Sequence, residues 1–290
     1  MLRERRSGSR RRRNRNEMIR IAIPHSSLEE AADDREAVRK IGYIGRAAAI
    51  FKVSNIYIYT HKGETPKSRA HFIKRYLEYM ATPPYLRKDL FPMKSELRLA
   101  GLLPPLRLPV FSSKPRPGVV LMGMVVKWDG YASIVKVGET AFARVPKPYP
   151  LKSRLLVQLE NEVDEGLYRA HVVPAKQPGH YAGFSVDIMT IGELIRRPPL
   201  LLTGREGKPI GDALDELAGL VRNGDVTVVF GSPRHGVEEL MRGEGIDVKG
   251  HPFINFVPRQ GVRTIRLEEA IISVLSIVNL FINGITCSRA

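Results

Sequence analysis

Cysteine is almost absent from this chain of 290 residues, since Cys287 is the single example. One cysteine can form neither an internal disulfide nor a cysteine-based zinc cluster, which fits a reducing compartment such as the cytoplasm. The seven histidines are scattered and include no His-x-x-x-His or comparable pair. We therefore expect no structural metal site and no metal cofactor.

Long apolar runs are also missing. The longest, Ala270 to Ile282, is too short to span a bilayer and is interrupted by two serines and an asparagine, so no membrane passage is expected. The first residues, MLRERRSGSRRRRNRN, lack the apolar core of a secretory signal peptide. An organellar transit peptide remains an open alternative for this segment.

Two nucleotide-binding signatures are incomplete at the segment that comes nearest to them, GSPRHG at 231–236. The segment is followed by Val237 and Glu238, where a Walker A loop would have Lys and Ser or Thr. It also lacks the middle glycine of the dinucleotide-binding fingerprint. No internal repeat of fixed period is evident. These absences disfavour a P-loop nucleotidase and a Rossmann-type dinucleotide enzyme.

Acidic residues are outnumbered, because 46 Lys and Arg stand against 30 Asp and Glu, a formal net charge of +16. This excess favours a polyanionic partner, most simply nucleic acid. The first 15 residues carry eight Arg and one Glu, a net +7, and subtracting this from +16 leaves +9 for the rest. We interpret residues 1–17 as a disordered basic arm, which either follows phosphates or is a solvated tail.

Strand-like and helix-like segments alternate on both sides of a proline-rich middle region. On the amino-terminal side, strands are predicted at 19–23 and 55–60, and helices at 33–52 and 67–80. On the carboxyl-terminal side, strands are predicted at 184–188, 200–203 and 226–230, and helices at 191–196 and 210–222. Such alternation is typical of an α/β domain with a largely parallel sheet.

The middle region predicts a small β-barrel. Prolines at 104, 105, 109, 115 and 117 lead into five short strand-like runs at 119–126, 131–137, 141–145, 154–159 and 167–173, which suit an OB-like barrel. The chain therefore divides into the arm at 1–17, the first part of an α/β domain at 18–100, the barrel insertion at 101–174 and the second part of the α/β domain at 175–290.

Aromatic and basic residues are interspersed in the barrel region, which carries a net charge of about +4. Exposed rings would let bases of a single strand stack on the barrel. The alternative, that the rings fill the barrel core, is favoured at each position. The residues concerned are Trp128, Tyr131, Phe142, Tyr149 and Tyr168.

Three loops near the carboxyl terminus are candidates for a binding site, because open α/β sheets bind ligands where strands end. The first is 203–207, TGREG, with Arg205 at a strand end. In the second, 231–236, Ser232 is a candidate N-cap and Pro233 the first helical residue. His235 in this loop suggests acid–base chemistry, although a structural role is the favoured interpretation. The third, 253–264, ends at Thr264, a candidate cap for the last helix.

The last helix carries few polar residues: Ser273, Ser276 and Asn279 are the only ones between Ala270 and Ile282. A helix that is apolar on most faces should be buried on most faces. We predict that it packs against a second copy of the chain in a symmetric dimer.

At these loops the sequence resembles a known family. FGSPRHG and FVPRQGVRTIRLEEAI are similar to the second and third knot motifs of the SPOUT superfamily, the trefoil-knotted methyltransferases that use S-adenosylmethionine. IPHSSLEEA, REAVRKIGYIGRAAAIFKV, YLRKDLFP and AGLLPPLR resemble an archaeal and eukaryotic SPOUT subfamily assigned as RNA methyltransferases with an OB-like insertion. The resemblance covers roughly residues 18–290.

The resemblance implies a fold and a cofactor site. The expected fold is a SPOUT α/β knot with a deep C-terminal trefoil, dimeric through helices of the knot region, which sequence periodicity alone cannot predict. The knot loops would bind S-adenosylmethionine and release S-adenosylhomocysteine, with no metal. The cofactor-binding residues implied are Thr203, Gly204, Gly231, Ser232, Pro233, Gly236, Ile254, Asn255, Val257, Pro258, Gln260, Gly261, Thr264 and Ile265.

Catalysis would consist of aligning an RNA nucleophile with the methyl group and assisting loss of its proton. Arg205 is the first candidate for orienting the acceptor, and Arg266 and Glu269 are weaker ones. Many SPOUT enzymes have Gly-Ser-Glu or Gly-Gly-Glu in the second motif, where this chain has Gly-Ser-Pro at 231–233. An acidic contact to the donor would then come from Glu206, Glu268 or Glu269.

The function expected is S-adenosylmethionine-dependent methylation of a structured RNA, with ribosomal RNA favoured. By family analogy, a base nitrogen such as uridine N3 is preferred to the ribose 2′-oxygen. One alternative is a noncatalytic RNA-binding or ribosome-assembly factor that uses the knot as a dimerisation scaffold. A DNA-binding protein that uses the barrel is a third, less favoured interpretation.

Overall fold

The computed structural model describes residues 18–62, 66–91, 95–112, 114–174, 180–222 and 225–283. The predicted basic arm, residues 1–17, lies outside the described residues, as does Cys287. Across the described ranges, no helix has the length and apolar character needed to cross a membrane. Nor do these ranges contain a cluster of three or more His, Cys, Asp or Glu side chains placed to hold a metal ion.

Six strands form one sheet in the order β11-β9-β10-β1-β2-β8, and every neighbouring pair is parallel. The predicted α/β fold with a parallel sheet is therefore confirmed. The central strands are rich in β-branched residues because helices cover both of their faces. The strands are β1 Ile19–Pro24, β2 Asn55–Thr60, β8 Ser185–Thr190, β9 Leu200–Pro209, β10 Val226–Val229 and β11 Phe253–Asn255.

Helices pack on both faces of this sheet. Helices α1, α2, α5 and α7 enclose the larger core with one face, and α4 and α6 enclose a smaller core with the other. The helices are α1 Asp34–Ile50, α2 Pro66–Met80, α3 Pro84–Leu90, α4 Ile191–Ile195, α5 Leu214–Arg222, α6 Val237–Gly243 and α7 Leu267–Ile282. Helix α3 and strand β11 are additions to the elements predicted from the sequence.

Two predicted helix caps are wrong. Helix α6 begins at Val237 after Gly236, so Ser232 and Pro233 belong to the turn that precedes it rather than to the helix. The Ser232 hydroxyl accepts hydrogen bonds from the backbone N–H groups of Arg234 and His235, which stabilises that turn. Helix α7 begins at Leu267 with Arg266 at the N-cap, so Thr264 does not cap it.

Helix α7 is held against α1 by a buried ammonium group. The side chain of Lys40 on α1 pairs with Glu30 and lies 3.7 Å from a carboxylate oxygen of Glu268 on α7. Lys40 is almost fully buried, and a buried charge requires such partners. This contact fixes the start of α7 relative to the sheet.

Within the single chain helix α7 is buried on one face only, and the prediction that a second copy covers the rest stays a prediction. One face is buried against α1 and α5 through five apolar residues, among them Ile271, Val274 and Val278. The opposite face exposes Ile272, Ser276 and Leu280, which follow one another at intervals of one helical turn. Packing within the single chain therefore uses only the face of α7 that contacts α1 and α5.

The predicted barrel is confirmed as a closed, five-stranded one in the order β3-β4-β5-β7-β6. Its strands are β3 Val120–Trp128, β4 Ser133–Lys136, β5 Phe142–Val145, β6 Arg154–Asp164 and β7 Leu167–Val172. Strands β2 and β8 are neighbours in the parallel sheet although the whole barrel lies between them in the sequence. The Tyr85 hydroxyl of α3 joins the two parts by donating to the Met122 carbonyl at 2.6 Å.

The aromatic residues of the barrel have two different environments. Tyr168 is buried in the barrel interior, as the core interpretation expects. Trp128 is 41% exposed and Tyr131 is 84% exposed, so the core interpretation is wrong for these two. They stand at the end of β3 and in the turn before β4, where the barrel interior ends.

Candidate active site

The three predicted loops meet in one cleft at the carboxyl ends of β9, β10 and β11, with the start of α7 on its far side. The cleft has a volume of about 420 Å³, within the range typical of small-molecule sites. Most residues predicted to bind a cofactor line it, together with Arg205. These are Thr203, Gly204, Gly231, Ser232, Pro233, Gly236, Asn255, Val257, Gln260, Thr264 and Ile265.

The first segment is a continuation of β9 rather than a loop after it. The sequence predicts a strand that ends at Thr203, whereas β9 runs to Pro209. Its pairing with β11 shifts, because Phe253 lies opposite Leu202 and Ile254 lies opposite Lys208. The five residues between, 203–207, have no partner in that register. Two hydrogen bonds, one to β10 and one to β11, hold this segment in place.

Those two bonds join the first segment to each neighbouring strand. The Thr203 hydroxyl donates to the Val229 carbonyl of β10 at 2.9 Å. On the other side, the Asn255 amide donates to the Arg205 carbonyl at 2.8 Å. The position of Arg205 in the cleft wall is therefore fixed through its backbone, while its guanidinium remains 68% exposed.

The second segment is a tight turn between β10 and α6. Its start is held by Tyr59, whose hydroxyl donates to the Phe230 carbonyl at 2.6 Å. Burial raises the pKa of Tyr59, so the hydroxyl keeps its proton and donates at neutral pH. Within the turn, the Ser232 N–H donates to the His235 carbonyl at 2.8 Å.

The third segment is held by its own side chains. The Asn255 side-chain oxygen accepts from the Val257 N–H at 3.0 Å. The Gln260 amide donates to the carbonyls of Val262 and Arg263 at 2.9 and 3.0 Å. These local bonds shape an irregular stretch that leads from β11 into α7.

At two points the backbones approach so closely that only glycine fits. A Cβ at Gly231 would lie 2.8 Å from the His235 carbonyl oxygen. A Cβ at Gly207 would lie 2.7 to 2.9 Å from backbone atoms of Ile254 and Asn255. Since backbone atoms cannot move aside as a side chain can, these glycines are required by packing.

Some of the predicted residues lie outside the cleft lining. Ile254 is fully buried and faces the protein core, so it does not form an open apolar wall of the site. Arg266 and Glu269 stand at the start of α7, where the Glu269 carboxylate accepts from the Arg266 N–H at 2.9 Å. This bond caps the helix. Pro258 and Gly261 are likewise absent from the lining that the described residues form.

Sequence reasoning missed a set of aromatic and acidic residues in the cleft. Phe230, Phe253 and Phe256 line it, and each immediately adjoins a strand or lies within one. Glu238 and Glu239 line it from α6. The position of these phenylalanines at strand ends is the sequence signal that could have identified them as cleft residues. The role of α6 depends on where that helix begins, which the sequence indicated incorrectly.

Charges of both signs surround the cleft. Arg205, Arg234 and Arg263 line it, and so do the carboxylates Glu206, Glu238 and Glu239. Of the three glutamates expected to supply an acidic contact, Glu206 alone lines the cleft, while Glu268 pairs with Lys40 and Glu269 caps α7. A partly apolar pocket bordered by charges of both signs suits a ligand that combines an apolar ring with charged groups.

Residues 18–278 match a family profile described as "Putative RNA methyltransferase". The chain belongs to this RNA methyltransferase family. The match includes the α/β sheet, the barrel and nearly all of the cleft, so the resemblance inferred from the knot-like motifs is confirmed at the level of the family. The cleft at the carboxyl end of the sheet is accordingly the candidate active site of an RNA methyltransferase.

Relatives of this RNA methyltransferase come from distant organisms. An uncharacterized protein of Halobacterium salinarum is 29% identical over an alignment of 301 positions. The alignment covers 90% of this chain and 98% of the relative. The 28S rRNA (uridine-N(3))-methyltransferase of Homo sapiens is 29% identical, over 87% of this chain and 75% of its own. The Drosophila melanogaster protein of the same name is 26% identical, over 88% and 60%.

We predict that Gly231→Ala destabilises the protein by about 1–3 kcal/mol, because the added methyl group would overlap backbone of the same turn. Gly219→Ala is the matched control, since Gly219 lies in α5 and no atom lies within 4 Å of the position that its added methyl group would take. This control should gain about 0.5–1 kcal/mol from helix propensity. Urea unfolding measures both, and equal stabilities for the two variants would contradict the packing argument.

Proposed function

We propose that this protein is a methyltransferase that transfers the methyl group of S-adenosylmethionine to N3 of a uridine in ribosomal RNA. The family supports RNA methylation, and the names of the human and fly relatives support the ribosomal substrate and the atom. The observation that carries the proposal is the convergence of three separate chain segments on one cleft.

The cleft fits S-adenosylmethionine, which is consumed in the reaction and is therefore a substrate. Apolar surface from Phe253, Val257 and Ile265 would cover the adenine ring, and the backbone groups of the second and third segments would form hydrogen bonds with its edge. Carboxylates at Glu206 and Glu238 would favour the positive sulfonium. Gly231 lines the cleft and contributes no side chain to it.

Arg205 is proposed to orient the acceptor base. Its backbone carbonyl is bound by Asn255 and its guanidinium is exposed at the cleft wall. Deprotonation of uridine N3 places negative charge on the ring and its carbonyl oxygens. A cation that meets this charge lowers the free energy of the transition state relative to the ground state.

We further propose that the segments around the cleft form the trefoil knot of the SPOUT superfamily. In support, residues 203–207 leave the register between β9 and β11, and β9 lies between β10 and β11. A chain that passes through such an opening would fix the three segments more firmly than a surface loop could. The close approach of Gly207 to Ile254 and Asn255, at the end of this segment, also supports the proposal.

The barrel is proposed to bind RNA as an OB-like module. Trp128 and Tyr131 are exposed at the tip of the β3–β4 hairpin, beside the exposed Lys127. The hairpin is rigid because Asp129 accepts from the N–H groups of Tyr131 and Ala132 at 2.9 and 2.8 Å. These bonds lower the pKa of Asp129, which therefore remains ionised. Exposed rings on a rigid hairpin suit base stacking.

The exposed face of α7 is proposed to join two copies of the chain. Ile272 and Leu280 are 44% and 47% exposed on that face, with Ser276 between them. Helix α7 also lines the cleft with Ala270 and Val274. A symmetric contact along α7 would therefore bring the two clefts of a dimer close to the interface.

We predict that Arg205→Ala reduces methyl transfer by about 10²-fold or more, because the charge that meets the developing anion is lost. The assay uses tritiated S-adenosylmethionine and unmodified large-subunit ribosomal RNA transcribed in vitro, and mass spectrometry of the digested RNA identifies the methylated atom. Arg98→Ala is the control, since Arg98 is also exposed but pairs with Asp34 and does not line the cleft. Product other than N3-methyluridine, or no product, would contradict the proposal.

Trp128→Ala and Tyr131→Ala should each weaken RNA binding by about 1–3 kcal/mol, the usual contribution of one stacked base. Leu151→Ala is the matched control, because Leu151 is 65% exposed and apolar but has no ring face on which a base can stack. Filter binding at two salt concentrations measures the affinities and separates the phosphate contribution. Unchanged affinity in both aromatic variants would exclude the hairpin from the RNA contact.

Replacement of either exposed α7 residue by lysine, Ile272→Lys or Leu280→Lys, should shift the protein from dimer to monomer in light scattering. A lysine at the centre of an interface places an unpaired charge in an apolar contact. Ile50→Lys is the control, because Ile50 is 58% exposed at the end of α1. A wild-type protein that is monomeric at micromolar concentration would refute the dimer.

A further inference from the structure

A second opening lies beside the cleft and shares a wall with it. This groove, of about 330 Å³, is formed between α6 and the segments that follow β1 and β2, and its lining includes Glu29, His61, Lys62 and Glu244. Arg234, His235 and Glu239 line both the groove and the cleft. A molecule in the groove would therefore lie next to a molecule in the cleft, with these three side chains at the boundary.

His235 is held at this boundary from two directions. Its backbone is fixed in the turn, because its N–H donates to the Ser232 hydroxyl at 3.0 Å and its carbonyl accepts from the Ser232 N–H at 2.8 Å. Its ring is fixed by the Glu239 carboxylate, which lies 3.1 Å from Nδ1. With Nδ1 directed at an acceptor, Nε2 is at the opposite end of the ring.

A carboxylate beside Nδ1 selects the tautomer of a neutral histidine. The proton lies on Nδ1, toward Glu239, and Nε2 carries the lone pair that can accept a proton. The ring is half exposed, so its proton can pass on to water.

The neighbouring histidine of the groove is engaged differently. Nε2 of His61 lies 2.9 Å from the Ser26 hydroxyl, and Nδ1 lies 3.2 Å from the Lys62 carbonyl. Both of its ring nitrogens are thus occupied within the protein. His61 lines the groove and is not part of the cleft lining, whereas His235 lines both.

We propose that His235, oriented by Glu239, is the general base that removes the N3 proton of the target uridine, whose nucleotide lies in the groove with the N3 edge of its base at the wall shared with the cleft. This inference rests on the proposed function. The N3 proton moves to Nε2 of His235, and the electron pair left on N3 forms the bond to the methyl carbon. The carbon–sulfur bond breaks toward sulfur, which yields S-adenosylhomocysteine. The imidazolium then releases its proton to water.

The cations of the groove fit a nucleotide rather than a free base. Arg234 is 70% exposed and 3.9 Å from Glu29, and Lys62 is 79% exposed and 3.7 Å from Glu244. Both are thus positioned but extend into solvent, where phosphates on either side of the target nucleotide would run. His235 lies at the wall that the groove shares with the cleft.

The test compares wild type with His235→Ala on two transcripts of large-subunit ribosomal RNA, one made with uridine and one with 5-fluorouridine. The fluorine makes N3–H more acidic, so a missing base matters less. At saturating S-adenosylmethionine, we expect His235→Ala to lower the single-turnover rate on the uridine transcript by about 10²–10⁴-fold. The ratio of variant to wild-type rate should rise at least tenfold on the 5-fluorouridine transcript.

His171→Ala is the matched control, because His171 is a half-exposed histidine paired with a carboxylate, Glu160, at 2.9 Å, but it lies on the barrel strand β7. Its rate at saturating RNA should equal that of wild type. Glu239→Gln should show a smaller defect than His235→Ala, since Glu239 acts through the histidine. Thermal unfolding of each variant checks that the substitution leaves the fold intact, as we expect for exposed side chains.

The outcomes separate the two proposals. If wild type forms no N3-methyluridine, the proposed function fails, and the role of His235 fails with it. If wild type forms it and His235→Ala is equally fast, the assignment of His235 as the base is overturned while the function stands. A defect of equal size on both transcripts also overturns it, because a positional role does not respond to the acidity of N3.

Discussion

The cleft depends on backbone that packs directly against backbone. At Gly231, within its own turn, and at Gly207, against Ile254 and Asn255, there is no space for even one more carbon. Such contacts fix distances more closely than side-chain packing, because neither partner has rotamers to change. The hydrogen bonds of Thr203, Asn255 and Tyr59 then set the orientation of each segment. The side chains that face the cleft inherit these positions.

Different parts of the molecule stabilise the fold and carry the groups proposed to act on RNA. The interiors of the parallel sheet and of the barrel are apolar. The groups proposed to act on RNA stand instead at the surface: Arg205 in the part of β9 that leaves the register with β11, His235 in the turn before α6, and Trp128 at the end of β3. The ammonium of Lys40 fixes α7 against the rigid part through Glu268. A rigid frame thereby presents a few polar groups at defined positions.

Much of the fold could be predicted from the sequence, because strand and helix periods survive in a single chain. The β-branched runs of β1 and β10 and the five barrel strands are examples. What failed were features decided by tertiary contacts. Ser232 and Pro233 carry the signal of a helix start, yet the Gly231 contact forces a turn there and delays the helix to Val237. The apolar α7 could not reveal which of its faces the chain covers by itself.

The loops of the candidate site could be predicted from the sequence, whereas the residues that other elements place beside those loops could not. Glycines and polar residues after strands indicated 203–205 and 231–236, because local geometry there limits the residue types. Glu239 has no such local signal, and its place beside His235 follows from where α6 begins. The groove is still further from prediction, since it joins residues after β1 and β2 to α6. Long-range proximity of this kind is set by strand order, which no local pattern encodes.

Strand order also bears on how the chain reaches its final form. Asn55 of β2 pairs with Ser185 of β8, 130 positions further along, and β1 is flanked by β10, which is made later still. The barrel, in contrast, closes within a span of about fifty residues and needs only local loop closure. During synthesis on the ribosome the inserted unit can mature first, while β1 and β2 wait for partners that have not yet emerged. The apolar faces and the unpaired backbone edges of those early strands are then the part of the nascent chain most exposed to misassembly.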